Sequence, residues 1–118
     1  MAKDDYDVIV YRVLVYLYAC LKRRIQFDAV SFQASVKKDV KSEEYFSKVL
    51  EMMQEEQLIR GLEFAHASGK VTILMTDVSE AEITPAGIHY LQENSRMKRI
   101  GEALKQAVDV IAGLAQLL

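Results

Sequence analysis

Cysteine is almost absent from the sequence: Cys20 is the only one, so no disulfide can form within the chain. Cys20 follows Ala19 in an apolar segment, and we expect its thiol to be buried and unreactive. Long hydrophobic runs are missing as well. The longest extends from Val8 to Leu21 and contains Arg12, whereas a membrane-spanning helix needs about 20 apolar residues. The sequence therefore predicts neither a disulfide-bonded nor a membrane-spanning protein.

Metal-binding and catalytic patterns are missing too. The two histidines, His66 and His89, are far from each other and from Cys20, so there is no cluster at metal-ligand spacing. We expect His66 on the surface of a hairpin and His89 on a helix face. The five glycines stand singly, so there is no phosphate-binding loop. We expect a protein that is not an enzyme, with no catalytic residue, no metal site and no cofactor.

A large excess of charge of one sign is also missing, because 17 acidic and 15 basic residues give a net charge of −2. That balance provides no general attraction to nucleic acid, so such binding would depend on local patches. The first seven residues are acidic, unlike the basic start of a secretory signal, and we expect a cytoplasmic protein with no membrane partner. What the chain does have is 51% hydrophobic and 27% charged residues. This composition is typical of one globular domain over residues 1–118.

The apolar pattern predicts a first helix over about residues 5–23. Acidic residues at its start and the basic residues 22–24 at its end complement the helix dipole. Apolar side chains occupy nearly every side of this helix, since Tyr11, Val15 and Tyr18 lie opposite the main stripe. A helix of that kind has to be covered on two sides.

Two shorter helices are expected next. Asp28 can cap the second helix, which has Val30, Phe32 and Ala34 facing inward. A lysine-rich turn then leads to the third helix, which is capped by a serine and has regularly spaced apolar residues over 42–56.

A β-hairpin is expected after the third helix. Its strands cover residues 58–64 and 71–75, both rich in apolar residues, and residues 65–70 form the turn. The resulting order is helix, helix, turn, helix, hairpin, which is the order of a winged helix-turn-helix with the hairpin as the wing.

Two more helices complete the predicted chain. Thr84 can cap the fourth helix, Pro85 fits its first position, and it ends near Asn94. Ser95 can cap a single final helix that continues to the end of the chain, with apolar residues every three or four positions. The predicted fold is mainly α with a small β-hairpin. It is a winged helix-turn-helix core, about residues 5–94, with an extra long C-terminal helix for packing or dimerisation.

Short motifs in four of these elements carry a family resemblance. They are Leu17-Tyr18, Tyr45-Phe46 with Val49-Leu50, Leu58-Ile59-Arg60-Gly61, and the run Ile83-Thr84-Pro85-Ala86-Gly87-Ile88 that continues to Ser95. On these motifs the sequence resembles the YjcQ family, small winged-helix proteins of Gram-positive bacteria and their phages, over roughly residues 6–100. The resemblance implies a winged-helix fold and a phage or prophage origin, and it implies no catalytic residue.

The fold makes double-stranded DNA one candidate partner, with the third helix in the major groove. The charges argue against it, because residues 42–56 contain five glutamates and one lysine, a local charge of −4. The wing, residues 62–84, has four acids and one base, a balance of −3. The candidate nucleic-acid contacts are Lys37, Lys38, Lys41, Lys48, Arg60 and Lys70.

The apolar helix surface exceeds what one small three-helix core needs, which predicts a homodimer through the first and last helices. The alternative is that the final helix folds back and completes a monomeric core. The candidate dimer-interface residues are Tyr11, Val15, Tyr18, Ile100, Leu104, Val108, Ile111 and Leu114.

We therefore expect a non-enzymatic winged-helix module that binds DNA or regulates transcription, of phage or prophage type. The alternative is a protein–protein interaction adaptor with a winged-helix fold and no DNA binding. The acidic third helix favours the adaptor, whereas the fold and the lysine turn at residues 37–41 favour DNA.

Overall fold

The computed structural model describes residues 2–118, in which short strands interrupt a series of helices. The elements are α1 (Tyr6–Leu21), α2 (Ala29–Ser35), α3 (Glu43–Glu55), β1 (Ile59–Arg60), β2 (Phe64–Ala67), β3 (Val71–Leu74), β4 (Glu82–Ile83), α4 (Pro85–Glu93), α5 (Ser95–Gln106) and α6 (Val110–Ala115), with a 3₁₀ turn at Val78–Glu80. The chain is mainly helical with small antiparallel sheets, as predicted, and the order of α1 to β3 is compatible with a winged helix-like fold.

Helix α1 is the centre of the molecule. Every residue from Val8 to Leu17 is buried, and α3, α4, α5, α6 and β4 all pack against this helix. The expectation that α1 is covered on two sides is confirmed. A helix with apolar residues all round removes its surface from water only when several elements surround it.

Side-chain caps begin the helices largely where the sequence predicts them. A carboxylate oxygen of Asp28 accepts a hydrogen bond from the Ser31 amide at 2.8 Å, and the Thr84 hydroxyl oxygen accepts one from the Gly87 amide at 2.9 Å. The predicted cap of the last helix is wrong by one residue. Asn94, not Ser95, has extended backbone angles, and its side-chain oxygen accepts from two amides of the first turn of α5.

The predicted inward face of α2 is only partly right. Phe32 is buried and packs edge-on against Tyr16 and Phe46, with ring centroids 5.2 and 6.1 Å away. Val30 is 76% exposed and Ala34 is also exposed, because this seven-residue helix touches the core along one narrow face.

The strand pairing differs from the predicted hairpin. Residues 58–64 do not form one strand: β1 pairs with β4, and β2 pairs with β3 in the register Phe64↔Leu74 to Ala67↔Val71. Gly61 separates β1 from β2. It has a φ of +101°, and a Cβ at this position would overlap the carbonyl oxygen of Glu80. The predicted turn is also shorter, because β2 continues to Ala67 and only residues 68–70 turn.

The predicted single final helix is wrong, since the chain breaks between α5 and α6. Val108 has a φ of +56° and is 90% exposed at the break, and Asp109 caps α6 by accepting from the Ile111 amide at 2.9 Å. Both helices then pack on α1 of the same chain, which is the fold-back alternative.

The structure places most of the candidate dimer-interface residues inside this one chain. The break at Val108 lets α6 turn back, so α5 and α6 cover α1 themselves. Val108 alone points fully into solvent, and Tyr18 and Leu114 are partly buried. The fully buried members are Tyr11, Val15, Ile100, Leu104 and Ile111. The homodimer stays a prediction, and its interface would need surface other than these five side chains in this arrangement.

Candidate interaction surface

Lys37, the first candidate DNA contact, is not available to a phosphate. Its side chain is only 8% exposed, forms an ion pair with Glu43, and places its ammonium 5.8 Å from the centre of the Phe46 ring. Burial lowers the pKa of Lys37. The sequence places Lys37 in a lysine-rich turn as a candidate contact, but the packing of α2 against α3 encloses its side chain.

Three more candidate contacts are paired with carboxylates. Lys38 Nζ lies 3.3 Å from Asp109 Oδ2, and Lys48 Nζ lies 3.0 Å from a carboxylate oxygen one turn further along α3. Arg60 Nε lies 3.5 Å from Glu82 Oε1, its cross-strand partner in the β1–β4 ladder. Four of the six predicted cations are therefore already in ion pairs.

Lys41 and Lys70 are the two candidates without an ion pair to any of residues 2–118. Lys41 lies in the turn before α3, and Lys70 lies at the tip of the hairpin. Both are exposed. The exposed stripe of α3 presents Glu44, Lys48, Met52 and Glu55, so its surface is mixed rather than basic.

A polar cluster attaches the wing, which we define as β2, β3 and the turn between them, to α3. Glu51 is 8% exposed; its Oε2 lies 2.6 Å from His66 Nε2, and its Oε1 accepts a hydrogen bond from the Thr72 hydroxyl at 3.4 Å. Burial acts to raise the pKa of Glu51, but hydrogen bonds from Lys48 and His66 outweigh it and hold that pKa below its usual value. The wing is thus fixed to α3 by a charged carboxylate.

The sequence alone does not reveal this role of His66, which was expected only on the surface of the hairpin. His66 and Thr72 are cross-strand partners, so their side chains share one face of the hairpin, the face that contacts Glu51 of α3. Only the hairpin register and its docking on α3 bring Glu51 to both. A local sequence signal for the contact does not exist.

The opposite face of the wing is apolar and open to solvent. It carries Ala65 and Ala67 on β2 beside Val71 and Ile73 on β3, followed by Met75. Val71 is 36% exposed, Ile73 42% and Met75 61%. The solvent face of an antiparallel hairpin usually carries polar side chains, so an apolar one marks a surface suited to a partner.

A groove separates β3 from α2 and the first turns of α3, with a volume of about 590 Å³. Phe32 and Phe46, both buried, lie in its wall beside all four residues of β3. Its ionisable lining residues are Lys37, Glu43, Glu44 and Asp77. Since Lys37 is paired with Glu43, the charges left to meet a partner in this groove are negative. We call it the β3 groove.

Arg12 forms a second polar centre, which is buried in the core. It is 1% exposed, and its guanidinium donates to the Ser35 carbonyl oxygen at 2.9 Å and pairs with Asp109 at 3.0 Å and Asp39 at 3.4 Å. Burial acts to raise the pKa of Asp109, but the hydrogen bond from the Ile111 amide and the charges of Arg12 and Lys38 hold it below its usual value. This network joins α1 to the turn after α2 and to the α5–α6 break.

The remaining reactive side chains do not come together. Cys20, expected to be buried, is partly buried, and this burial raises the pKa of its thiol. His89 is exposed on α4. Within residues 2–118 no group of three His, Cys, Asp or Glu side chains is arranged to hold a metal ion. None of the helices over this range has the length and apolar character needed to cross a membrane.

Comparison with protein families gives a match over most of the chain. The family model described as YjcQ protein matches residues 11–110, which extend from within α1 to the first residue of α6. The chain belongs to the YjcQ family. No curated protein and no solved structure matches it.

Proposed function

We propose that this YjcQ-family chain is a non-enzymatic module that binds another protein through the wing and α3, rather than a reader of DNA. The observation that carries the proposal is the neutralisation of the predicted basic residues: four of six are in ion pairs, while glutamates remain exposed along α3. Most of the affinity of proteins for duplex DNA comes from Lys and Arg that neutralise phosphates.

The charge that remains free among the six candidates is too small for a DNA surface. Lys41 and Lys70 together would release about two counterions, whereas DNA-binding proteins commonly make about 6–10 phosphate contacts. An acidic helix directed at the major groove would add repulsion. In contrast, the apolar outward face of the wing matches the chemistry of a protein interface.

Fluorescence anisotropy with a labelled mixed-sequence duplex of 30 base pairs tests the proposal. We expect no binding at about 50 mM salt with protein in the micromolar range. Binding at low salt that weakens steeply at higher salt would overturn the proposal and restore the DNA-binding regulatory role. The control is the double variant Glu44→Lys/Glu55→Lys, which leaves three glutamates and three lysines over residues 42–56. It should bind DNA weakly and so show that the assay detects an α3 surface of this shape.

Site-specific photo-crosslinking tests the second part of the proposal, that the wing binds another protein. It is carried out in living cells that make the protein. A photoreactive phenylalanine analogue at Ile73, on the outward face of the wing, should give a discrete protein adduct. The same analogue at Glu102, exposed on α5, is the matched control and should give none. Nucleic-acid adducts at Ile73, or equal yields at both positions, would contradict the proposal.

A further inference from the structure

The end of α5 depends on a residue that is poorly suited to its conformation. The last turn closes with two backbone hydrogen bonds, from the Val108 amide to the Lys105 carbonyl at 3.3 Å and from the Asp109 amide to the Leu104 carbonyl at 3.2 Å. In this common way of ending a helix, the residue after the cap takes the left-handed conformation and is usually glycine. Here that residue is Val108, with a φ of +56°. A β-branched side chain is especially unfavourable there.

The backbone of Val108 therefore favours a helix that continues. The left-handed conformation of a non-glycine residue is disfavoured by roughly 5–30-fold relative to the right-handed helix. Among residues 2–118, four non-glycine residues have a positive φ, and Val108 is the β-branched one. Its side chain is 90% exposed, so packing does not compensate for the strain. The break is held instead by Asp109, which caps α6 and pairs with Arg12.

The apolar pattern passes through the break without a change of phase. Seven apolar residues follow one another at alternating spacings of three and four positions, and the last four lie beyond the end of α5. They are Met97, Ile100, Leu104, Ala107, Ile111, Leu114 and Leu118. This is the spacing of the a and d positions of a heptad repeat, which places all seven on one side of a single helix. Two helices with separate axes do not need a common phase.

The flanks of this apolar stripe are uncharged. All the charged residues between positions 97 and 118 fall on the far side of the heptad, away from the a and d positions and their immediate flanks. They are Lys98, Arg99, Glu102, Lys105 and Asp109. The flanking residues Val108, Val110 and Leu117 are 90%, 68% and 56% exposed in the single chain. Folding α6 back on its own α1 therefore leaves part of a broad apolar face uncovered.

A continuous helix would separate α6 from α1 of the same chain. Both α5 and α6 pack on α1, and α6 reaches it only because the chain turns at Val108. Without that turn, residues 110–115 would extend beyond α5 by about 1.5 Å per residue. The inner face of α6, which includes the buried Ile111 and Ala112, would lose its cover, and so would α1. The partner that fits both surfaces is a second copy, because α6 and α1 already fit each other within one chain.

We propose that this chain forms a dimer by exchanging its C-terminal helix. In the dimer, α5 and α6 are one helix through Val108, and the α6 segment of each copy covers α1 of the other. A short, strained hinge favours an exchange of this kind. The proposal goes beyond the proposed function and is independent of it, since it involves neither the wing nor α3.

Analytical ultracentrifugation of the full chain over a concentration series tests the dimer. The samples are first equilibrated in urea below the unfolding transition, so that α6 can detach and exchange, and are then returned to buffer. We expect a dimer with a dissociation constant at or below about 100 μM.

Val108→Gly tests the hinge. Glycine relieves the strain of the left-handed conformation and weakens a continuous helix, so each chain should favour the bent form at least about tenfold more than before. A dimer contains two hinges, so its dissociation constant should rise at least about a hundredfold, the square of that factor. Ala103→Gly is the matched control, because Ala103 is exposed within α5 and is helical in both forms. Its dissociation constant should stay within about twofold of the wild-type value.

NMR spectroscopy shows whether the dimer is the exchanged one. In a dimer of isotope-labelled and unlabelled wild-type chains, the contacts between α1 and α6 should be intermolecular, and the chemical shifts of Val108 should be helical. In Val108→Gly the same contacts should lie within one chain, which also shows that this variant is folded.

Three results would each overturn the proposal. The first is a monomer at every concentration after equilibration, and the second is a dimer that Val108→Gly does not weaken. The third is a dimer without intermolecular contacts between α1 and α6, because its chains would associate side by side with the break intact. None of these results bears on the proposed function, which the DNA-binding and crosslinking experiments test separately.

Discussion

Asp109→Ala tests the buried network around Arg12. Asp109 is the closest carboxylate to the guanidinium, at 3.0 Å, and it also caps α6. Removing one partner of a buried ion pair typically lowers the free energy of unfolding by about 3–5 kcal/mol, because the other charge stays buried. The lower end of that range applies here, since Asp39 remains 3.4 Å from the Arg12 guanidinium. Loss of the cap adds about 1 kcal/mol. We expect a total loss of about 3–5 kcal/mol, a large part of the roughly 5–15 kcal/mol that stabilises a domain.

Urea unfolding followed by far-UV circular dichroism measures this loss, since the chain has no tryptophan. Asp28→Ala is the matched control. It removes an exposed helix cap without touching Arg12, so it should cost only about 1 kcal/mol. A loss for Asp109→Ala no larger than that of the control would refute the reasoning, because Ser35 and Asp39 would then suffice to pair the guanidinium.

Two further measurements follow from the same network. The double variant Arg12→Met/Asp109→Asn removes both charges and keeps a capping oxygen, so it should be more stable than Asp109→Ala. The pKa of Asp109 is held below its usual value, so its contribution is present above the unfolded pKa of about 3.9 and lost as the pH falls through the lower folded pKa. The stability gap between the wild-type chain and Asp109→Ala should therefore be constant above about pH 5 and close in stronger acid.

The remaining predictions concern glycine, capping and assembly. Gly87→Ala should destabilise the chain by about 1–3 kcal/mol, because a Cβ there would overlap the Leu58 carbonyl oxygen. Gly113→Ala meets open space and should stabilise the chain by up to about 1 kcal/mol. If both variants proved more stable in urea unfolding, the packing of α4 would be contradicted. Asn94→Ala should cost about 1–2 kcal/mol, and Ser95→Ala less than about 0.5 kcal/mol. Equal losses would mean that the cap is misassigned. Light scattering tests the predicted homodimer, which a monomeric mass at high concentration would exclude.

Much of the fold could be predicted because its signals are local. Thr84 and Pro85 begin α4 as expected, since a cap and a first-turn proline act within one helical turn. The burial of α1 follows from its composition alone. Helix caps and apolar patterns depend on residues close together in the chain, so they can be recognised from the sequence.

The errors arise where distant segments meet. Gly61 ends β1 because its backbone lies against Glu80, nineteen positions away in the chain. Lys37 is buried because α2 and α3 close around it, and His66 finds Glu51 only through the docked hairpin. For this reason the candidate site differs most from its prediction. Counting residues gives the net charge of a segment, but the packing determines which of those charges remain free to contact a partner.

Asn94 is the only residue between α4 and α5, because it both ends α4 and caps α5. No loop is present there to absorb a change in chain length. One residue inserted into the helical turn that follows would rotate the rest of α5 by about 100°, since a helix has 3.6 residues per turn. Ile100 and Leu104 would then leave α1. The wing tip has no such packing to preserve, because residues 68–70 are exposed and nothing lies within 4 Å of a Cβ built at Gly69, although the φ of +72° there still favours glycine. Insertions and deletions during the evolution of this chain should therefore be tolerated at the tip of the wing and eliminated at the α4–α5 joint.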